Sequence, residues 1–251
     1  MYKRQVETIY ARQKNENFKT SLPRPQDIED VYSAIARQGY THVIVLMIAE
    51  CLSSANNLMR LAAEEHPELT VKVFDSKSAS IGLGALAVHV ALYAVRGVAF
   101  DPLCELTKRL IDDTVVYFSL DTLEYLQRGG RIGRATALAG GLLQIKPILT
   151  FDRKDGMIST AAKVRGRRGV QQRLIELATE LAAKHPGEEY NLVVCDGNVP
   201  EEGAALEAAL TRALPNAHRV LHGKIDATLA VHLGPNLLGV GVQFLNSKLP
   251  A

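Results

Sequence analysis

Gly82, Gly84 and Ala87, in the segment FDSKSASIGLGALA, spell the G-x-G-x-x-A pattern that cradles a dinucleotide pyrophosphate at a strand-to-helix turn. In that chemistry the first glycine turns the chain directly out of the strand. Here Ser76 to Ile81 intervene after a strand ending at Asp75. The segment reads instead as a serine-opened helix, with Ser78 or Ser80 accepting a hydrogen bond from a first-turn N–H and with glycines that permit close packing. Such a helix end is still able to face an anion.

A basic run, KVRGRRG, places Lys163, Arg165, Arg167 and Arg168 together. Guanidinium groups pair with carboxylate and phosphate oxygens, so the run is either a solvated loop or a docking surface for an acidic partner. It lacks interleaved aromatics to stack bases, which argues against nucleic acid. His218 and His222 stand four apart, but Arg219 to Leu221 between them read as strand, and no carboxylate motif accompanies them, which argues against a metal. G-x-S-x-G, H-E-x-x-H and G-x-x-x-x-G-K-[ST] are all missing, so no hydrolase or P-loop signature points to an enzyme. Small hydroxyls recur at element ends: Thr20 and Ser21 before a proline turn, Ser53 and Ser54 after a strand. Helix capping explains them, and the carboxyl end of a strand in an open α/β sheet is also where ligands bind.

The elements that must position these groups alternate. β-rich runs cover His42 to Ala49, Val71 to Asp75, Thr114 to Ser119, Asn191 to Cys195, Val220 to Ile225 and Leu237 to Phe244. Helical patterns cover Pro25 to Arg37, Ser53 to Glu65, Ile81 to Val95, Pro102 to Asp112, Val170 to Lys184 and Glu201 to Leu214. Asp101-Pro102 reads as an N-cap acid with proline at the first helical position, and Gly39, Gly97 and Gly129-Gly130 fall where helices end. The fold class is α/β, with a boundary at the Asp112-Asp113 turn dividing lobes 1–113 and 114–251. The apolar run Leu138 to Ile148, with Ala139, Gly140 and Gly141, reads as tunnel lining or as ordinary core. There is no repeat or low-complexity tract.

Whole-chain properties narrow the function. With 251 residues and 47% hydrophobic side chains, the chain can build one large core or two modest ones. A net charge of +2 gives no field that would select nucleic acid or an anionic membrane. Cys51, Cys104 and Cys195 are odd in number and widely spaced, as free thiols of a reducing cytoplasm are. The polar opening MYKRQVETIYARQKNENFK is no signal peptide, and the longest uncharged stretch, Ala79 to Val95, is interrupted by His89, so no membrane span is expected.

In order along the chain stand KTSLPRP, ECLSSA after a strand, FDSKSASIGLG, DTLEYLQRGGRIGRATALAGGLLQIKPIL, KVRGRRG and HLGPNLLGVGV. This series, from Lys19 to the C-terminus, resembles the DegV family of fatty-acid-binding proteins, and TLEYLQRGGRIG through IKPIL is its most specific part. The resemblance implies two α/β lobes, the first with a parallel sheet and the second with a mixed one, and a long-chain fatty acid held between them without a cofactor. It implies no catalysis, and delivery of the acid to a fatty-acid kinase, with at most transient membrane contact. Carried over by position, Thr20 or Ser21 and Ser53, beside Ser54, are the hydroxyls that hold the carboxylate. His232 of HLGP stands at the same end, Arg131 of GGRIG near the entrance, and Arg165, Arg167 and Arg168 at the partner contact.

Three features depart from the family pattern: LSSAN stands for the usual LSGT, Asn236 for the second glycine of GPG, and the opening β-α unit with its Asp-Ser motif is missing. Loss of that unit leaves a strand edge and part of the pocket rim uncovered, as a shortened reading of a longer gene or a degenerate binder would. The competing readings are a phosphotransferase of related fold using Asp75 or His232 at phosphate, and a regulatory interaction subunit with a vestigial pocket.

Overall fold

Two sheets and the helix clasped between them set the architecture; the computed structural model describes residues 2–138 and 145–245. Strands β1 (His42–Met47) and β2 (Thr70–Asp75) pair in parallel, with His42 opposite Thr70 and Met47 opposite Asp75. The second sheet draws only on residues after 113: β3 (Thr114–Ser119), β4 (Ile145–Phe151), β5 (Ile158–Arg165), β6 (Tyr190–Asp196), β7 (Arg219–Lys224) and β8 (Leu238–Phe244). Their order is β5-β4-β3-β8-β6-β7, antiparallel except for the β6 and β7 pair. Around them lie α1 (Tyr2–Arg12), α2 (Pro25–Arg37), α3 (Ala55–Glu64), α4 (Ile81–Val95), α5 (Phe100–Asp112), α6 (Glu124–Arg128), α7 (Gly166–Ala183), α8 (Pro200–Ala213) and α9 (Ala227–Leu233), with a 3-10 turn at Gly133–Leu138.

Period-two alternation sorts the large sheet's side chains onto two faces. Leu192 and Val194 of β6 join Val240 and Val242 of β8 under Val170 and Leu174 of α7 and Leu206 and Leu210 of α8. Val193 and Cys195, one step out of phase, face the other way with Val116 and Phe118 of β3 and meet Ile81 and Ala85 of α4. The far side of α4 buries Leu86, Val90 and Tyr93 against α5 and against Ile44 and Leu46 of β1. A helix flanked on both sides must be apolar nearly all round, which is what IGLGALAVHVALYAV supplies. Val43, Val45 and Val71 complete the small sheet's other face under α2 and α3. None of the described helices is long and apolar enough to cross a membrane.

The six expected strands and six expected helices form within two residues of the expected ends, apart from the start of α7, which begins at Gly166 rather than Val170. Strands β4 and β5 and helices α1, α6 and α9 were not anticipated. Pro147 argues against a central strand because it cannot donate to a ladder. In β4 the cost is avoided: pairing with β3 is confined to Leu149 and Thr150, so the side of Pro147 that faces β3 is not asked for an N–H. The basic run is likewise no loop. Lys163 and Arg165 lie on β5, at the sheet edge, where charged side chains discourage edge-to-edge pairing, and the remainder opens α7. Of the run expected to line a tunnel, Ala139, Gly140 and Gly141 lie outside the described residues, Ile145 is exposed, and Ile148 packs on the α7 side of the sheet.

Helix starts differ too. Helix α5 begins at Phe100 with Ala99 as its N-cap, so Asp101 sits in the first turn instead of capping. Neither Ser80 nor Ser78 caps α4: Ser80 makes no side-chain cap bond and Ser78 Oγ is buried without a hydrogen-bond partner. The two glycines behind them play unlike parts. A Cβ on Gly82 would run into Ser78 Oγ and approach Val116 Cγ2 to 2.8 Å, so this glycine lets α4 seat on the large sheet, whereas a Cβ on Gly84 would meet nothing. Gly82→Ala is therefore expected to destabilise the fold by about 1–3 kcal/mol through overpacking, and Gly84→Ala to stabilise it by about 0.5–1 kcal/mol through helix propensity. Urea unfolding of the two variants checks the opposite signs.

Candidate functional site

On the α4 side of the large sheet the core does not close. A cavity of about 350 Å³ remains, walled by Ile48, Leu52, Phe118, Phe151, Leu229 and Leu237 among others. The rings of Phe118 and Phe151 stand 5.4 Å apart between centroids and form one apolar wall. Cys195 adds a thiol that burial, with Asp196 beside it, pushes up to about 12, so it behaves there as a small apolar group. The opening turn of α4 also borders the space through Ala79, Ser80 and Ile81, with Ser80 held at a φ of 53°. A non-glycine residue costs free energy in that region, and such residues concentrate where a site dictates the backbone.

Polar groups enter this cavity from three directions. The loop before α2 brings Thr20 and Ser21; neither caps that helix, whose N-cap is Arg24. The carboxyl end of β1 leads through Ala49 to Ser53 and Ser54. Ser53 Oγ accepts a hydrogen bond from Ala55 N at 3.3 Å, while Ser54 stays exposed at the rim and makes no cap bond. Helix α9 brings Thr228, Leu229, His232 and Leu233, neighbours on one helical face. Its start is fixed by Asp226, whose carboxylate accepts from Leu229 N at 2.8 Å.

The decisive contact joins two of these directions: Thr20 Oγ1 and His232 Nε2 lie 2.8 Å apart, 212 residues away in sequence. Burial, and secondarily the positive charge of Arg131, hold the His232 imidazole below its usual range, which keeps it neutral near pH 7. Gly129 makes room for the ring, since a Cβ there would strike Nδ1. Arg131 ties the third direction in: its Nη1 donates to Gly129 O at 2.6 Å and its Nε to Leu52 O at 3.0 Å, next to Ser53. Thr20, His232, Gly129, Arg131 and the Leu52-Ser53 turn thus form one connected polar rim on an otherwise apolar cavity.

Thr20, Ser21, Ser53, Ser54, Arg131 and His232, the residues singled out as a carboxylate site, all line this cavity. The arginines singled out for a partner do not. Arg165 and Arg168 are exposed on the β5-α7 junction. Arg167 is taken up within the fold, donating to Glu202 at 2.7 Å and to Asn236 O at 2.6 Å. Asp75 is engaged in its own turn, accepting from Lys77 N at 2.9 Å and Glu50 N at 3.2 Å. His222 sits on β7 between Glu207 at 2.8 Å and Asp196 at 3.3 Å, an ionic contact that raises its pKa, chiefly through Glu207. Among the described residues no group of three or more His, Cys, Asp and Glu side chains could hold a metal.

Sequence reasoning overlooked Ser80, Thr228, Phe118 and Phe151 as lining residues. Ser80 and Thr228 carried a signal in being small hydroxyls at helix starts; the two phenylalanines read as ordinary strand core and carried none.

Asn236, standing where a glycine is usual, has a φ of 65°, the left-handed region that asparagine tolerates better than most residues. Its Nδ2 donates to Asp121 at 2.6 Å. The substitution keeps the turn and gains a tether.

The chain is similar to known proteins in sequence and in fold. A family model described as an uncharacterised protein of the DegV family matches residues 3–245. A DegV domain-containing protein of Clostridium acetobutylicum is 35% identical over 222 residues, covering 88% of this chain and 77% of its own length. One from Clostridium perfringens is 33% identical over 94% of this chain and 82% of its own. Among solved structures, a DegV-family protein of Thermus thermophilus described for its fatty-acid binding superposes with a TM-score of 0.87 at 29% identity, covering 96% of this chain and 84% of the other. DegV of Bacillus subtilis, described as a fatty acid binding protein, gives 0.85 at 27%, covering 97% and 84%. A stearic acid-binding protein of Eubacterium ventriosum gives 0.85 at 25%, covering 96% and 83%. With a family model spanning nearly its whole length and relatives above 30% identity, this chain belongs to the DegV family.

Proposed function

We propose that the protein binds a long-chain fatty acid in the cavity between its lobes, 1–113 and 114–251, and acts as a carrier, not a catalyst. The observation that carries this reading is the junction of an apolar space of about 350 Å³ with the Thr20–His232 pair, Ser53 and Arg131 at its rim. That volume falls in the usual range for small-molecule sites, and a few convergent polar groups on an apolar wall are their ordinary chemistry. The likeness to proteins described as fatty-acid binding supports it.

The two parts of the ligand meet different physics. A carboxylate leaving water needs charge-assisted hydrogen bonds, each worth about 1.5–3 kcal/mol. The hydroxyls of Thr20, Ser21 and Ser53 supply donors, with the His232 imidazole hydrogen-bonded behind Thr20, and Arg131 supplies the only formal positive charge among the cavity's lining residues identified. The tail contributes roughly 0.8 kcal/mol per buried methylene before ordering costs. Affinity therefore scales with chain length while the polar rim sets direction. The acid would then be presented to a partner such as a fatty-acid kinase, whose acidic surface would meet the chain at the β5-α7 junction, where Arg165 and Arg168 are exposed.

Native mass spectrometry of protein purified from lipid-supplemented cells is expected to show one fatty acid bound per chain; spectra of empty protein under those conditions contradict the proposal. Ser53→Ala and His232→Ala are each expected to weaken fatty-acid binding by about 1–3 kcal/mol, roughly five- to 150-fold in Kd. Displacement of a fluorescent fatty acid measures the change, and an unaltered Kd in both variants removes the carboxylate from this rim.

A further inference from the structure

Behind His232, on the side away from Thr20, the structure holds a second and much smaller space. It measures about 10 Å³ and is lined by Gln13, Glu16, Asn17, Arg128, Tyr125 and the ring of His232, among others. Gln13, just past the end of α1, is 2% exposed, yet neither atom of its amide has a hydrogen-bond partner, and His232 Nδ1 is likewise buried without one. Buried polar atoms without partners are uncommon, and three around one small void call for a common explanation. A void of roughly 10–15 Å³ with two or more polar walls is the kind that holds a single water. Gln13 is also fixed in place: its N donates to Ile9 O at 2.8 Å, and its O accepts from Arg128 Nη1 at 3.3 Å.

We infer that Gln13 is a positioning residue for ligand binding, which through one buried water sets the tautomer of His232. The inference rests on the fatty-acid reading of the main cavity. A neutral imidazole carries one proton, on either nitrogen. If Nδ1 carried it, Nε2 would be an acceptor and would take the hydroxyl proton of Thr20, leaving Thr20 nothing to donate to a carboxylate. A bound carboxylate accepts only, so it favours the opposite polarity. The Gln13 amide N–H donates to the water, the water donates to Nδ1, Nε2–H donates to Thr20 Oγ1, and the Thr20 hydroxyl donates to the ligand. Each bond polarises the next, so the amide behind the ring strengthens the hydroxyl in front of it. Helix α1 thereby enters the binding site without touching the ligand.

The test uses the full chain with oleate as the probe, in wild type, Gln13→Met, Thr20→Val and the double variant. Met is close to Gln in volume and removes the donor. Gln13→Met is expected to weaken oleate binding roughly three- to tenfold, the worth of one hydrogen bond, and to do so by less than about twofold once Thr20 is Val, because the relay then has no outlet. In nitrogen-15 spectra of the oleate complex, wild-type His232 is expected to carry its proton on Nε2, and Gln13→Met to populate both tautomers. A wild-type complex protonated on Nδ1 overturns the inference without reference to any variant. So does oleate binding by Gln13→Met at wild-type affinity with the ring unchanged, in which case the carrier reading survives. A wild type that takes up no oleate removes the carrier reading and the relay with it.

Discussion

The hydrogen bond between Thr20 and His232 is the joint on which the polar rim depends. It links a loop at the start of the chain to the penultimate element, across 212 positions. Both partners are neutral, because burial disfavours the charged imidazole. Neutrality alone gives the contact no polarity of its own, which leaves the groups behind the ring to set it. An ion pair at this place would already be satisfied and would compete with an incoming acid. In the proposed site a neutral pair would leave room for one, with Arg131 nearby to offset the added charge.

The apolar side of the site is a packing argument. Protein interiors fill space to the density of organic crystals, and voids larger than a water are few. A space of about 350 Å³ against the inner face of the large sheet forfeits dispersion contacts along its whole wall. The same face is otherwise well packed, with Ala135 and Ala230 fully buried and Leu120 and Leu126 nearly so. A defect of this size, bordered by a strained Ser80 and by glycines that let His232 and α4 approach, is on the proposed reading a space shaped for an occupant.

Much of the fold was readable because its signals are local. Helix α4 shows its two buried faces as a long apolar run, and β3 and β6 show theirs as short β-branched ones. What escaped depended on partners far away in sequence. Pro147 excludes a regular central strand only if the neighbour its nitrogen faces requires an N–H there, and the pairing with β3 stops at Leu149. The basic run looked like a loop because nothing local says that Lys163 and Arg165 guard a sheet edge. The hydroxyls stood out only as residues at element ends, and their joining with His232 came through a family resemblance, since residues 20, 53 and 232 meet only after both sheets are assembled. Gln13 carried no local signal at all.

The departures from the family pattern show which features of the site are chemical and which are geometric. Asn236 preserves the left-handed turn after α9 that a glycine would make, and Gly234, ahead of it, cannot be replaced so simply because a Cβ there would enter the ring of Tyr125. In LSSAN the position that matters for the α3 turn is Ser53, whose hydroxyl serves Ala55 N, while Ser54 is exposed and makes no cap bond. Backbone conformation and one hydroxyl are therefore retained where residue identity is not. On the proposed reading a carboxylate needs donors converging on a point, so the arrangement would tolerate such changes as long as Thr20, Ser53 and His232 still aim at the same place. The turns that aim them constrain the site as strongly as the side chains themselves.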